Sequence, residues 1–447
     1  MKRQKPQKAP SPPQNTDRDE VDLPLVEIVK PIYGGTFLSR LEGKAVFVPL
    51  TLPGEQARIH IVDDKRGYAT AEAEQIVTIA PERIAPRCSH FGICGGCHYQ
   101  HAGYETQLSF KQAILRETLN RAGVQPPEQI AVLAATLPSQ AWAYRNRIRL
   151  AFDSDGNPGY RGRRSHSVVP VKECPIAAPL LIEAAQAFAE IARQSDPTLR
   201  ASELSLFCNA DETGVLASVY TRDHFKFQFD NFANAVYERI PALNGAELIA
   251  ESRAGEKPRT AAQWGATSLS YRAAGFDYRV DHGAFFQVNR WLIDALVEHV
   301  TASHSGLIAW DLFAGVGLFA RRLASNFARV VAVESATSAI NALEVNLNGV
   351  AASAVPSTTL DFLRRSRKGD RPDLIVVDPP RMGLGAEITA QLVSIAAPAL
   401  VYVSCDPATL ARDLLALIAG GYQIQSITLA DLFPQTFHLE TVVHLYR

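Results

Sequence analysis

The sequence predicts a chain of mixed class, α/β plus β, whose C-terminal part is a doubly wound Rossmann-like domain. Three observations carry this. From Gly306 onward, apolar runs of strand length alternate with helical stretches. Residues 21–80 hold short alternating β stretches broken by Gly and Pro. Between these regions a Cys/Gly-rich segment opens an irregular middle. A chain of 447 residues exceeds one ordinary core. The expected parts are a disordered tail over 1–20, an OB-type barrel over 21–80, a central α+β domain over 81–275 and the Rossmann-like domain over 276–447.

The tail is rich in Pro, Gln, Lys and Asp, a composition that cannot bury enough apolar surface to fold. A hydrophobic content of 47% and a charged content of 20% belong to an ordinary globular protein. The net charge of -1 provides no overall attraction to a polyanion, so any nucleic-acid surface must be local. No run of about 18 apolar residues is present, which excludes a membrane-spanning helix. The basic start, Met1-Lys-Arg-Gln-Lys-Pro, is followed by no apolar stretch, so a cytoplasmic protein is expected. The chain is expected to work as a monomer.

In the barrel region, Gly43-Lys-Ala-Val-Phe-Val-Pro-Leu and Gln56-Ala-Arg-Ile-His-Ile-Val read as strands, with turns at Gly34-Gly35 and Pro53-Gly54. A small closed barrel of this length serves either as an RNA and single-strand binding module or as a purely structural β-domain. The stretch Tyr104 to Ala122 reads as a helix, with Leu108, Ile114, Leu115 and Leu119 at mixed three- and four-residue spacing. Between Arg145 and Lys172 stand seven basic residues (Arg145, Arg147, Arg149, Arg161, Arg163, Arg164, Lys172) against Asp153 and Asp155. On a strand, Arg145, Arg147 and Arg149 would share one face, with Tyr144 and Tyr160 nearby. Such a face suits phosphates and bases, although a solvated strand face is the commoner outcome for a charge run.

In the last part, Leu307–Asp311, Arg329–Glu334, Leu374–Asp378 and Ala399–Ser404 read as strands. Val316–Ser325 and Ala336–Asn348 read as helices. The alternation implies a parallel sheet, whose ligands bind at the carboxyl ends of the strands. Asp311, Glu334, Asp378 and Cys405 all fall there.

The motifs sharpen this. Asp311-Leu-Phe-Ala-Gly315-Val-Gly317 joins a strand to a helix, and its glycines let backbone approach a ligand. Glu334, about 20 residues on, can accept hydrogen bonds from ribose hydroxyls. The loop lacks the third glycine of a pyrophosphate cradle, which favours S-adenosylmethionine over a dinucleotide. In Asp378-Pro-Pro-Arg381 two prolines fix a carboxylate and a guanidinium at the sheet edge. Cys405 ends a strand just before Asp406-Pro407 and a helix start, where a thiolate is favoured by the helix N-terminus. Methylation of uracil carbon 5 needs such a thiolate: its addition to carbon 6 turns carbon 5 into a nucleophile. A base must then remove the carbon 5 proton. Glu440 is the candidate and His438 the runner-up, against a plain surface charge beside the last strand. Cys88-x5-Cys94-x2-Cys97, with Cys174 as fourth ligand, suits an iron–sulfur cluster or a tetrahedral zinc. The spacing differs from that of the radical enzymes, so a structural cluster is expected. Cys208 reads as core.

With Phe285-Phe-Gln287-Val-Asn289, Asp311-Leu-Phe-Ala-Gly-Val-Gly, Asp378-Pro-Pro-Arg, Tyr402-Val-Ser-Cys-Asp-Pro-Ala-Thr-Leu-Ala-Arg-Asp and Asp431-Leu-Phe-Pro-Gln-Thr-Phe-His-Leu-Glu, the chain resembles, nearly end to end, the RNA 5-methyluridine methyltransferases of the RumA/TrmA type. The resemblance implies a TRAM domain for the barrel and a 4Fe-4S cluster on Cys88, Cys94, Cys97 and Cys174. It makes Cys405 the nucleophile and Glu440 the proton acceptor, and it places Gln287, Phe313, Glu334, Asp361 and Asp378 around the cofactor and base. The tRNA-modifying branch lacks the cluster, so 23S rRNA is expected as substrate ahead of tRNA. Leu318, Asp406 and Ala284 depart from the family's usual residues. The rival readings are an RNA cytosine-5 methyltransferase and a non-enzymatic RNA-binding assembly factor.

Overall fold

The computed structural model describes residues 23–195, 199–222, 228–251, 258–366 and 371–447. The tail expected over 1–20 lies outside them. The chain divides into two compact units. Of the described residues, the smaller holds 23–30 and 37–80, and the larger holds 31–36 and those from 81 on.

The smaller unit is a closed five-stranded barrel in the order β1-β2-β3-β5-β4. Its strands are β1 (Leu25–Ile32), β2 (Thr36–Leu41), β3 (Lys44–Pro49), β4 (Gln56–Asp64) and β5 (Tyr68–Thr78). Alternation along β1 sends Val26 and Ile28 inward while Leu25 and Val29 stay exposed. Closure leaves no free sheet edge.

The larger unit begins with the cysteine-rich loop and α1 (Tyr104–Ala122), whose bounds match the sequence expectation and whose Gly123 closes it in a left-handed cap. After β6 (Ala131–Leu133) come β7 (Arg147–Phe152), β8 (Pro158–Arg161), β9 (Val168–Pro170), α2 (Pro179–Gln194), β10 (Ala201–Cys208), β11 (Val215–Thr221), α3 (Phe229–Arg239), β12 (Leu243–Ala250) and β13 (Arg259–Gly265). The strands β7 to β13 form a seven-stranded sheet covered by α2 and α3, with Cys208 buried in its core as expected. A hairpin follows, β14 (Ser268–Ala273) with β15 (Phe276–Asp281), and then α4 (Ile293–Thr301).

The rest is β16 (Gly306–Leu312), α5 (Leu318–Leu323), β17 (Phe327–Glu334), α6 (Thr337–Asn346), β18 (Ala352–Pro356), α7 (Thr359–Arg365), β19 (Leu374–Val377), α8 (Gly385–Ile395), β20 (Ala399–Ser404), α9 (Pro407–Ala419), β21 (Gln423–Ala430) and β22 (Glu440–Tyr446). The sheet order is β18-β17-β16-β19-β20-β22-β21-β6, parallel through β20 and antiparallel at β22. The chain starts at β16, runs outward to β18, then returns to β19. That reversal makes the switch point between the ends of β16 and β19, where a doubly wound sheet opens a ligand crevice. The larger unit is continuous across residue 275: β6 pairs with β21, and Ile114, Leu115 and Leu119 of α1 share a core with Leu410, Leu414 and Leu417 of α9.

Candidate active site

The sheet register sets the chemistry. β20 and β22 are antiparallel with Ser404 opposite Thr441. Just past these paired residues, Cys405 follows β20 and Glu440 begins β22, and the Glu440 carboxyl lies close enough to push the Cys405 thiol up. Cross-strand neighbours hold their Cβ atoms about 5 Å apart, so two residues distant in sequence become one site. Asp406 then caps α9, its carboxylate accepting from the backbone N–H of Ala408 (3.0 Å) and Thr409 (2.9 Å).

Four more expected residues follow the carboxyl ends of parallel strands. Phe313 follows β16 and Asp378 follows β19, on the two sides of the switch point. Glu334 ends β17, and Asp361 lies in the first turn of α7, just after β18. Gln287 joins them from the hairpin side, buried, with its amide 3.4 Å from Asp378. The loop after β16 has left-handed backbone at Phe313 (φ 66°), Gly315 (φ 56°) and Gly317 (φ 90°). Glu334 fixes this loop by accepting from Gly315 N–H at 2.8 Å. Asp311 Oδ2 accepts from Ala320 N–H at 2.8 Å, while its buried Oδ1 has no partner among the described residues. The loop, the acid after β17 and the unpaired carboxyl oxygen suit a nucleoside cofactor with several hydroxyls and an amino group. Asp361 is turned to a local task as well, bonding the Thr358 hydroxyl at 2.8 Å.

Charge in the pocket corrects one expectation. The helix N-terminus does not make Cys405 a resting thiolate. Burial, then the carboxyls of Glu440 and Asp378, push the thiol up to about 12, against a downward pull from Arg381. Cys405 also precedes the capping residue, so the helix amides are spent on Asp406. The carboxyls are themselves raised. Burial takes Asp378 and Asp311 up to about 7, and burial plus Asp378 lifts Glu440 well above the usual carboxylate range. Arg381 is exposed, and its guanidinium approaches His438 Nδ1 at 3.3 Å. Burial, Arg381 and Arg145 hold His438 down at about 3, so its ring is neutral. Tyr33, a residue of the larger unit that no motif singles out, has its hydroxyl pushed up by burial and then by Asp406, and it sets its ring edge-on to Phe437 at 5.5 Å.

The four predicted cluster cysteines come together. Burial raises the thiols of Cys88, Cys94 and Cys97, the last to about 12, and the neighbouring Cys174 adds to each rise. Arg145 pulls Cys94 and Cys97 down again, and burial, then Cys174, raises the Tyr160 hydroxyl. None of the four is in a disulfide. Among the described residues no group of three or more His, Cys, Asp or Glu converges as a single-ion metal site. The basic stripe is only partly a strand face. Arg147 and Arg149 project from β7, over the rings of Phe207 (4.6 Å) and Tyr220 (4.7 Å), but Arg145 precedes the strand and faces the cysteines. Glu203 pairs with Arg149 at 2.5 Å and with Arg161 at 3.4 Å.

Comparison with known proteins agrees with this layout. A family model described as tRNA (Uracil-5-)-methyltransferase matches residues 370–447, and the TRAM domain model matches residues 25–73. An RNA methyltransferase of Streptomyces avermitilis is 31% identical over 94% of this chain and 97% of its own. The 23S rRNA (uracil(1939)-C(5))-methyltransferases RlmD of Halomonas elongata and Aeromonas salmonicida are 32% and 31% identical, over 91% and 98% of this chain and 85% and 98% of theirs. The crystal structure of Pyrococcus abyssi tRNA (uracil-54, C5)-methyltransferase with S-adenosyl-L-homocysteine superposes with a TM-score of 0.75, covering 94% of this chain and 100% of that one at 24% identity, a likeness of fold. The matched C-terminal segment is the one whose strand pairing brings Cys405 close to Glu440, and the full-length relatives extend the match through the barrel and the cysteine loop; the chain is a member of the RNA uracil-C5-methyltransferase family.

Proposed function

We propose that this enzyme methylates carbon 5 of a uridine in 23S rRNA, with Cys405 as nucleophile and Glu440 as proton acceptor. The observation that carries the reading is the β20–β22 pairing, which ends at Ser404 and Thr441, next to the Cys405 thiol and the buried Glu440 carboxyl that acts on it. S-adenosylmethionine supplies the methyl group when bound, held by the Phe313–Gly317 loop, Glu334, Asp361, Gln287 and Asp378. The target uracil leaves its stack to reach the crevice. Cys405 releases its proton to solvent, and the thiolate adds to carbon 6 while the C5=C6 electron pair moves onto carbon 5 and its neighbouring carbonyl oxygen. Arg381, the cation beside it, favours the thiolate and faces the negative charge that spreads onto the ring. Once carbon 5 is methylated, Glu440 takes its proton. A carboxylate with a raised pKa is the better base for this step.

The four cysteines support a 4Fe-4S cluster. The donor set is all sulfur and partly buried, with the Arg145 guanidinium alongside, as an anionic cluster needs, although the Glu173 carboxylate also acts on Cys88. The rRNA assignment rests on this cysteine set and on the RlmD relatives. A tRNA substrate is the second reading, favoured by the Pyrococcus fold match.

The decisive experiment compares 5-methyluridine in 23S rRNA and tRNA from cells with and without the gene, then adds back the wild type or Cys405→Ala. Loss of one rRNA methyl group, restored only by the wild type, is expected. Restoration by Cys405→Ala would overturn the mechanism, and loss confined to tRNA would overturn the rRNA assignment.

A further inference from the structure

The loop Asp431–Leu439, which delivers Glu440 to the head of β22, is held from outside at four successive carbonyls. Asn289 donates to Leu432 O (3.1 Å), Lys111 to Phe433 O (2.9 Å), and the Tyr144 hydroxyl to Pro434 O (3.0 Å). Gln435 O accepts two backbone amides, those of His98 (2.9 Å) and Tyr99 (3.0 Å). Gln435 is also gripped by Gln107 of α1. Its N–H donates to Gln107 Oε1 and its side-chain oxygen accepts from Gln107 Nε2, both at 2.9 Å. Gln435 is 2% exposed and left-handed, at φ 68°. A buried non-glycine residue in that region is strained and persists only where its surroundings over-determine it. Here the determinants come from two sides. His98 and Tyr99 directly follow Cys97 of the cysteine loop, and Gln107 lies one helical turn before Lys111. His98 packs its ring edge-on to Phe437 at 4.7 Å, and Phe437 contacts His438 at 4.3 Å, so the grip runs on toward Glu440.

We infer that Gln107 and Gln435 are positioning residues for the proton acceptor, and that with the cysteine loop they form one clamp governing the second half of the reaction. This rests on the assignment of Cys405 and Glu440 above. The first half uses Cys405, placed by β20 and α9, and the methyl donor. In the second half the carbon 5 proton passes to the Glu440 carboxylate, the freed electron pair forms the C5=C6 bond, the bond from carbon 6 to Sγ breaks, and Cys405 leaves as thiolate. A loosened clamp displaces only the group that this half requires. Disturbing the cysteine loop and cutting the Gln107 bonds then have the same consequence, a methylated RNA that stays attached to the enzyme.

The test uses full-length protein, total RNA from cells lacking the gene, and S-adenosylmethionine labelled in its methyl group. Protein-linked RNA is read on a denaturing gel, alongside released 5-methyluridine and first-turnover methyl incorporation. Gln107→Leu is expected to raise the linked fraction about fivefold or more, while first-turnover incorporation stays within about threefold, because the lost step is proton abstraction. Gln435→Gly, which relieves the left-handed strain and so protects the fold, is expected to do the same. Cys97→Ala should show the phenotype too, and combining it with Gln107→Leu should add nothing further. Glu440→Gln separates the two levels of the argument. If it accumulates linked RNA and neither Gln107→Leu nor Gln435→Gly does, the clamp is refuted. If Glu440→Gln itself does not, the base assignment fails. A parallel fall in incorporation and linked RNA in both clamp variants would also refute the inference, since it would mark a defect in substrate binding.

Discussion

Replacing Lys111 with Met should cost the larger unit about 3–5 kcal/mol, the range for breaking a buried ion pair. The Lys111 ammonium and the Asp431 carboxylate lie 2.5 Å apart, and neither side chain has any solvent exposure. Without the ammonium, the Asp431 carboxylate keeps the Tyr104 hydroxyl (2.8 Å), and Phe433 O loses its Lys111 bond. The second substitution should repair much of the first. Lys111→Met with Asp431→Asn removes the stranded charge and leaves an amide oxygen for Tyr104. Its cost should be about 1–2 kcal/mol, that of the one neutral hydrogen bond still missing. Urea unfolding followed by tryptophan fluorescence gives both values, with equal m-values as the sign that the two variants unfold from comparable states. A single-variant cost below about 1 kcal/mol, or a double variant no more stable than the single, would refute the view that burial of an unpaired charge sets the magnitude.

Other perturbations follow from the same geometry. His444 is buried against His299 and His304, and burial, then those two rings, lower it from 6.5 to about 4. Its neutral form is the folded one, so its contribution is complete above pH 6.5 and lost as pH falls toward 4; the stability difference between wild type and His444→Asn should shrink across that window by about 3 kcal/mol, and a pH-independent difference in chemical denaturation would contradict this. Gly317 has φ 90°, and a Cβ there would lie 2.8 Å from Leu343 Cδ1. Gly317→Ala should therefore strain the cofactor loop by about 1–2 kcal/mol and weaken S-adenosylhomocysteine binding roughly tenfold by calorimetry; an unchanged Kd would exclude the loop from the cofactor site. Glu203 ties up Arg149 and Arg161 on the basic face. Glu203→Gln should tighten RNA binding about threefold in low salt and steepen its salt dependence by about one counterion; an unchanged slope in filter binding would remove that face from the RNA surface.

What the sequence made legible was what local motifs encode. Cys405 and Glu440 each stand in a run whose chemistry can be argued residue by residue, and the apolar strands from Leu307 to Ser404 fall within a residue or two of their structural bounds. Pairings between distant segments were not legible. Gln107 and Lys111 are four apart on α1 and share a face, but a lysine on a helix is usually solvated. Its burial follows from α1 packing against the Asp431 loop, which no local pattern states. The protonated Cys405 has the same origin, since Glu440 and Asp378 reach it from two other strands. Arg145 was misread for a related reason: alternation put it on a strand face, but the strand begins two residues later and Arg145 turns to the cysteines. The strand β6 is three residues long and exists because β21 offers it an edge.

The crowding of carboxyls around Cys405 has a consequence for the cofactor. Asp378 sits at the switch point with its pKa lifted by burial, so near neutral pH some of the molecules hold a proton there. The methyl donor carries a sulfonium cation, whereas its demethylated product is neutral at sulfur. A cation settling within about 4–6 Å of a carboxylate lowers its pKa by about 1–3 units. Binding of S-adenosylmethionine at pH 7 should then expel a fraction of a proton per site, and binding of S-adenosylhomocysteine should expel less. The sign is fixed by the raised starting value: an Asp already ionised at pH 7 would have nothing to release. Calorimetric titrations in two buffers of different ionisation enthalpy measure the protons directly. Equal proton release for the two ligands would show that Asp378 does not sense the sulfonium, and Asp378→Asn should abolish the difference if it does. The same logic accounts for a protonated thiol in the free enzyme. While Glu440, Asp378 and Cys405 share one buried pocket near Arg381, the pocket holds protons, and it releases them as positive charge arrives with the sulfonium of the methyl donor.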